Sequence, residues 1–257
     1  MLIDTHTHLY SSKFDEDREF VISDCIANGV KKLLLPNIDS NSTDSMLALA
    51  DKHPLVCYPM MGIHPCSINN NTIEKELAHT KKHLFSNRKF IAVGEIGIDL
   101  HWDKTTLAAQ VTAFKQQIEW AKELNLPIAI HAREAFDEIF EVLDELNDDT
   151  LNGVLHCFTG NVEQAKHIIN YGGFKLGIGG VVTFKNGGLD KVLNEIELEH
   201  LILETDAPYL APTPHRGKRN SSQYIPLIGD KLADIYGCTL PEIAEVTTRN
   251  AIELFKL

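Results

Sequence analysis

The first residues able to do chemistry stand near the start, in Asp4-Thr5-His6-Thr7-His8. On an extended strand, residues two apart share a face, so both imidazoles point to one side. Neutral imidazoles paired in this way suit Zn²⁺ or a similar borderline cation. The chain has twelve histidines, so such a pair also arises by chance as a solvated surface feature. Its place at the end of the first apolar run favours the ligand reading.

Four more positions have the same character. Glu95, in Val93-Gly94-Glu95-Ile96-Gly97-Ile98-Asp99, follows an apolar run. A carboxylate there is costly to leave ionised without a partner, and with two oxygens it can bridge two cations. Asp99, further along, reads as a turn residue or a supporting contact. His131 closes Ile128-Ala129-Ile130-His131, and His156 closes the run before Cys157-Phe158. A lone histidine after a strand is more often a satisfied core residue; two on separate strands point to a shared site. Asp206, in Leu203-Glu204-Thr205-Asp206-Ala207-Pro208, is either a turn initiator or a metal ligand that takes a proton from water. Glu204 is placed to orient a ligand. A single zinc site needs only three or four protein ligands. Six candidates therefore predict at least two metals, ~3.5–4 Å apart if Glu95 bridges them.

These residues must be carried by something that gathers strand ends. Short apolar runs occur at Leu2-Ile3, 32–36, 55–61, 90–94, 127–131, 154–157, 174–177 and 201–204. They lack a clean two-residue alternation, as strands buried on both faces do. Amphipathic segments separate them. In one, Leu107, Val111, Phe114, Ile118, Ala121 and Leu124 step by three and four. Others are Phe136 to Leu146 and Thr239 to Phe255, the latter opened by a capping box, Thr239-Leu240-Pro241-Glu242. Eight strands alternating with helices predict an α/β (β/α)8 TIM barrel over residues 1–257 as one domain. A doubly wound sheet is the alternative. It gathers its site at one switch point, whereas the candidates here end at least five strands.

Composition narrows the classes. Of 257 residues, 44% are hydrophobic and 23% charged, which is ordinary for a globular chain. No apolar run approaches the ~20 residues that span a bilayer, and Met1-Leu2-Ile3-Asp4 opens no secretory signal. Five cysteines without a C-x-x-C pair read as buried small hydrophobes in a reducing, cytoplasmic compartment. A net charge of -12 disfavours non-specific binding to polyanions. Bound cations and a local basic loop can still reverse the sign within one cleft. Arg216, Lys218 and Arg219 form such a loop. No P-loop and no G-x-S-x-G elbow is present.

In order along the chain stand Ile3 to Leu9, Gly62-Ile63-His64-Pro65, Gly94 to Asp99, Ile130-His131-Ala132-Arg133, His156 to Gly160, Glu204 to Tyr209 and Arg216 to Asn220. With these segments the chain resembles the TatD-type metal-dependent hydrolases, a family among the amidohydrolase-like barrels. The resemblance implies a (β/α)8 fold, two or three divalent cations (Zn, Mn or Mg), and deoxyribonuclease activity on single-stranded DNA or 3′ ends. It implies His6, His8, Glu95, His131, His156 and Asp206 as metal ligands, with His64, Arg133 and Arg216 near the substrate. Two positions depart from the pattern. Thr159 replaces a common serine, and Ser221-Ser222 stand where many relatives carry Glu and Pro, beside the expected phosphate loop.

The expected reaction is metal-assisted phosphodiester hydrolysis with Asp206 and Glu95 as catalytic carboxylates and Arg216 and Lys218 gripping phosphates. An amidohydrolase acting on a cyclic amide or lactone is the alternative, and the basic loop disfavours it. A metal-binding protein without turnover is a third. Neither a membrane nor an obligate protein partner is expected.

Overall fold

The computed structural model describes residues 1–257. Eight parallel strands alternate with helices: β1 (Leu2–Asp4) and α1 (Arg18–Ala27), β2 (Val30–Leu35) and α2 (Thr43–Lys52), β3 (Cys57–Pro59) and α3 (Ile73–Leu84), β4 (Val93–Asp99) and α4 (Leu107–Leu124). They continue with β5 (Ile128–Arg133) and α5 (Phe136–Leu146), β6 (Gly153–Leu155) and α6 (Val162–Asn170), β7 (Phe174–Ile178) and α7 (Leu189–Leu193), β8 (Leu201–Leu203) and α8 (Ile225–Tyr236). A last helix, α9 (Leu240–Phe255), follows.

Ladders join β1-β2-β3 and β4 through β8. Isolated backbone bonds close the two seams. Between β3 and β4, Met61 N–H donates to Ala92 O and Gly94 N–H to Met61 O, both at 3.1 Å. Between β8 and β1, Thr5 N–H reaches Leu203 O at 3.0 Å, and a parallel bridge pairs Thr7 with Ala207. Asp4 reinforces this seam by accepting from Thr205 N–H (2.9 Å) and Thr205 Oγ1–H (2.6 Å). The result is the closed barrel, and not the open sheet.

Strand residues sort into two buried sets. Ile3, Leu34, Met60, Ala92, Ala129, Val154 and Ile202 form one cluster with Ala251, Leu254 and Phe255 of α9. Alternate positions, among them Leu33, Leu35, Val93, Ile128, Ile130, Leu155, Leu201 and Leu203, join the cluster that includes the outer helices. The first set therefore fills the barrel, and α9 plugs its N-terminal end. Asn250 Nδ2–H donates to Leu201 O (2.8 Å) and Thr248 Oγ1–H to Met1 O (2.8 Å), pinning the plug. Both sets are apolar, which is why no polar alternation marks the strands.

The predicted helix faces are present. Phe114, Ile118 and Ala121 of α4 are buried, and the Thr239–Glu242 capping box opens α9. One strand is misplaced by the sequence reading. The run at 90–94 predicts a strand ending before Glu95, whereas β4 spans Val93–Asp99 with Glu95 inside it. The register against β5 shifts between Gly94 and Ile96, so Glu95 is an extra residue in the ladder. Such an irregularity re-aims a side chain. Gly97 continues the strand at φ 141°, where an added Cβ would stand 2.1 Å from His131 O. Only glycine fits there. No helix is long and apolar enough to cross a membrane.

Candidate metal centre

Period two carries the inward set up to the C-terminal rim. Two residues beyond Ala129, Val154 and Ile202 come His131 on β5 and, just past the ends of β6 and β8, His156 and Glu204. The irregularity in β4 adds Glu95 to the same interior. His6, His8 and Asp206 arrive from the segments just past β1 and β8, held together by Asp206 N–H donating to His6 O at 2.9 Å. His6 and His8 lie beyond β1 and not on it, yet their rings still meet edge to face, 5.2 Å apart.

Glu95 divides the histidines between its oxygens. Around Oε2 stand His6 Nε2 (3.2 Å) and His8 Nε2 (3.6 Å). Around Oε1 stand His131 Nδ1 (2.9 Å), His156 Nε2 (3.1 Å) and His64 Nε2 (3.5 Å). Asp206 Oδ1 lies on the Oε2 side, 3.5 Å from His8 Nε2 and 4.0 Å from His6 Nε2. All six predicted ligand residues are thus brought together.

For His8 a hydrogen bond fixes which ring nitrogen carries the proton. Tyr10 Oη–H donates to Pro36 O at 2.6 Å, so His8 Nδ1–H must donate to Tyr10 Oη at 2.8 Å. In the neutral ring this leaves the His8 Nε2 lone pair aimed at Glu95 and Asp206. His156 lies between two carboxylates, its Nδ1 3.2 Å from Glu204 Oε1 and its Nε2 3.1 Å from Glu95 Oε1. His131 is placed the same way, its Nε2 2.9 Å from Asp99 Oδ2 and its Nδ1 2.9 Å from Glu95 Oε1. Lone pairs aimed at carboxylate oxygens repel unless positive charge lies between them. Two ligands each ~2.1 Å from one cation stand about 3.0–3.5 Å apart. The observed separations fit, and the donor set of imidazoles and carboxylates suits divalent ions. His6 Nδ1 is buried without a partner and adds no constraint.

The charges agree. Burial would raise the Glu95 carboxyl, but His64, His156 and His6 outweigh it and hold it well below the usual range. Asp206 is lowered for the same reason, its burial outweighed by His8, His156 and His6. Burial opposes charge on His131, yet Asp99 and Glu95 raise it; on His156, Glu95 and Glu204 do the same. The carboxylates therefore call for positive charge where cations would sit.

His64 differs. Its Nδ1 accepts from Cys66 N–H at 3.1 Å, so the neutral ring carries its proton on Nε2 and presents a donor to the centre. Burial lowers its pKa to about 3, which keeps it neutral. Position alone would admit it to a donor group with Glu95 and His131; its tautomer does not.

Several supports were not legible as such in the sequence. Gln110 and Gln117 of α4 are buried among apolar neighbours, where only their helical spacing marks them. Gln110 brackets the Asp99 backbone, accepting from N–H at 2.8 Å and donating to O at 3.0 Å. Gln117 Oε1 accepts from Ile63 N–H at 2.8 Å, beside His64. Tyr10 gives no motif signal.

The basic residues separate. Arg216 stacks its guanidinium 3.8 Å over Phe184 and lines a recess of about 360 Å³ with Lys185, Asn186 and Thr213. Arg133 lies 5.4 Å over the Trp102 ring. Lys218 is exposed. Arg219 leaves the expected cluster: it is paired with Asp17 (2.5 Å) and lies over Phe14. Its fork matches a carboxylate on α1's approach. Ser221 and Ser222 are both buried, and Ser221 Oγ–H donates to Gln223 Oε1 at 3.0 Å. Ser222 is buried and donates to Thr7 Oγ1 at 3.1 Å, beneath the paired histidines.

A barrel whose interior strand positions end in clustered imidazoles and carboxylates defines a metal-dependent hydrolase. A family model described as TatD related DNase matches residues 3–256, and the chain belongs to that family. It is 38% identical over 258 residues to YabD, an uncharacterised metal-dependent hydrolase of Bacillus subtilis, covering all of both chains. It is 33% identical over 262 residues to the 3′-5′ ssDNA/RNA exonuclease TatD of Salmonella typhimurium, covering 100% of this chain and 99% of the relative. Among solved structures it is similar to YjjV, a TatD homologue from Escherichia coli, with TM-score 0.90, 28% identity, and coverage of 100% and 98%.

Proposed function

We propose that this enzyme hydrolyses phosphodiester bonds of single-stranded nucleic acid from the 3′ end, in the cytoplasm, with two divalent cations. The observation that carries the reading is the division of histidines by Glu95: His6 and His8 at one oxygen, His131 and His156 at the other. Glu95 with His6, His8 and Asp206 would hold one cation; Glu95 with His131 and His156 would hold the second. Imidazole-rich ligation suits Zn²⁺ or Mn²⁺, and phosphoryl chemistry also employs Mg²⁺. When bound, the cations activate water and offset charge on the phosphoryl and leaving oxygens. The nucleic-acid substrate is supported by the Salmonella relative, a 3′-5′ ssDNA/RNA exonuclease.

The side chains do the rest. Asp206 is the more open carboxylate, 14% exposed against 2% for Glu95. It accepts the proton of the attacking water. Its backbone, at φ 57°, holds a left-handed conformation that aspartate tolerates at functional turns. His64 donates its Nε2–H to a phosphoryl oxygen. Arg133, Arg216 and Lys218 meet phosphate charge.

Hydrolysis of end-labelled single-stranded DNA, a cyclic amide and a lactone by the metal-loaded enzyme tests the reading. Release of nucleotides from the 3′ end, abolished by chelation, is expected. Turnover of the amide or lactone without release of nucleotides would overturn it.

A further inference from the structure

The chain has two tryptophans. Trp120 is buried, as an apolar side chain of that size should be; Trp102 is 72% exposed. Trp102 lies in the loop after β4, on the same rim as the candidate metal centre. Its ring contacts are polar. The Arg133 guanidinium sits 5.4 Å over the indole, and the His101 ring meets it edge-on at 4.9 Å. His101 Nδ1 is in turn 2.6 Å from Glu134 Oε1.

This exposure has no structural explanation. The indole packs against no core, and the residues around it, His101, Asp103, Lys104, Arg133 and Glu134, are exposed and polar. A hydrophobic docking surface for a protein would need a continuous apolar patch. Nor is the loop loosely placed. Asp99 Oδ1 accepts from the backbone N–H of His101 (2.9 Å) and Trp102 (3.4 Å), while Asp99 Oδ2 faces His131 Nε2 (2.9 Å). Gln110 clamps the Asp99 backbone beneath. One carboxylate therefore ties the backbone at Trp102 to His131 of the candidate centre.

An open aromatic face backed by a guanidinium is what an unpaired nucleobase requires. The ring supplies stacking area and the cation meets the adjoining phosphate. We propose that Trp102, backed by Arg133, is a stacking platform for an unpaired nucleobase of the substrate strand. The proposal rests on the phosphodiesterase reading and adds the means by which a single strand is selected. A base within a duplex is covered on both faces and cannot use the platform. Stacking reads no edge and no sugar hydroxyl, so DNA and RNA strands are both accommodated.

The test compares metal-loaded wild type, Trp102→Ala and Trp102→Phe on a short single-stranded oligonucleotide and on a strand of equal length made wholly of abasic sugar phosphates. Trp102→Ala should raise KM for the ordinary strand by about 10-fold, with a smaller change in kcat. Trp102→Phe, which keeps an aromatic face, should recover most of the loss. On the abasic strand, wild type and Trp102→Ala should share one KM. An ordinary-strand KM unchanged in Trp102→Ala overturns the platform while cleavage by the wild type leaves the phosphodiesterase reading standing. A phenylalanine variant as impaired as the alanine variant overturns it too, because the loss would not be one of stacking. If the wild type cleaves neither strand, the phosphodiesterase reading falls and the platform with it.

Discussion

A histidine held by a neighbour at one ring nitrogen has a single nitrogen left to offer, and the neighbour decides whether that nitrogen gives or accepts. Tyr10 turns His8 into a lone-pair donor toward Glu95; the Cys66 backbone turns His64 into a proton donor toward the centre. We assign Asp206 a different task, proton acceptor, because its side chain is the more exposed of the two carboxylates. The amide of Asp206→Asn still offers an oxygen to a cation but cannot take a proton. That variant should lose about 100-fold or more in kcat on single-stranded DNA, with KM changed far less. Steady-state kinetics at fixed metal loading decide; near-wild-type turnover would assign the base elsewhere. Residue types at strand ends made the six metal-ligand candidates legible in the sequence. The tautomer of His8 was not, since it depends on Pro36 O, which the chain brings close to Tyr10 only after folding.

At the scale of elements, the alternation of strand residues places the site. Ala129 and Val154 fill the barrel, and the next inward positions are His131 and His156. Glu95 enters through the shifted register of β4, and a strand reading based on apolar runs has no means of seeing an extra residue in a ladder. Of the six non-glycine residues at positive φ, Glu134, Cys157, Asp206 and Leu210 follow β5, β6 and β8 at the rim, and Asn125 and Lys256 cap helices. Unfavourable backbone thus gathers where chemistry is expected, and the plugged end carries stability. Phe255→Ala, in the plug, should destabilise the fold by about 3–5 kcal/mol. Metal content per folded chain should not change, because the plug closes the barrel end opposite the rim. Chemical denaturation with elemental analysis checks both. The eight strands were visible as apolar runs, but their bounds were not, because these strands are short and covered on both faces, so the apolar pattern carries no alternation to count along.

For the molecule as a whole, charge is the central problem. The chain carries a net charge of -12, and its proposed substrate is a polyanion. The basic loop contributes less than the sequence suggests, because Arg219 is committed to Asp17. Cations in the cluster must then supply both the local positive potential and the reaction's driving group. The barrel makes this possible by closing β8 against β1, which brings His6 and His8 beside Asp206 across nearly two hundred positions of sequence. Metal dependence on a counted number of ions is therefore the most direct test. Chelator-stripped protein is titrated with Mn²⁺ or Zn²⁺ while bound metal and hydrolysis of single-stranded DNA are measured on the same samples. Hydrolysis should be absent without metal and reach its plateau at two cations per chain, and His156→Ala should bind fewer ions and stay inactive while folded. Undiminished hydrolysis by the stripped protein, or a folded wild-type chain that binds no divalent metal, would contradict the account.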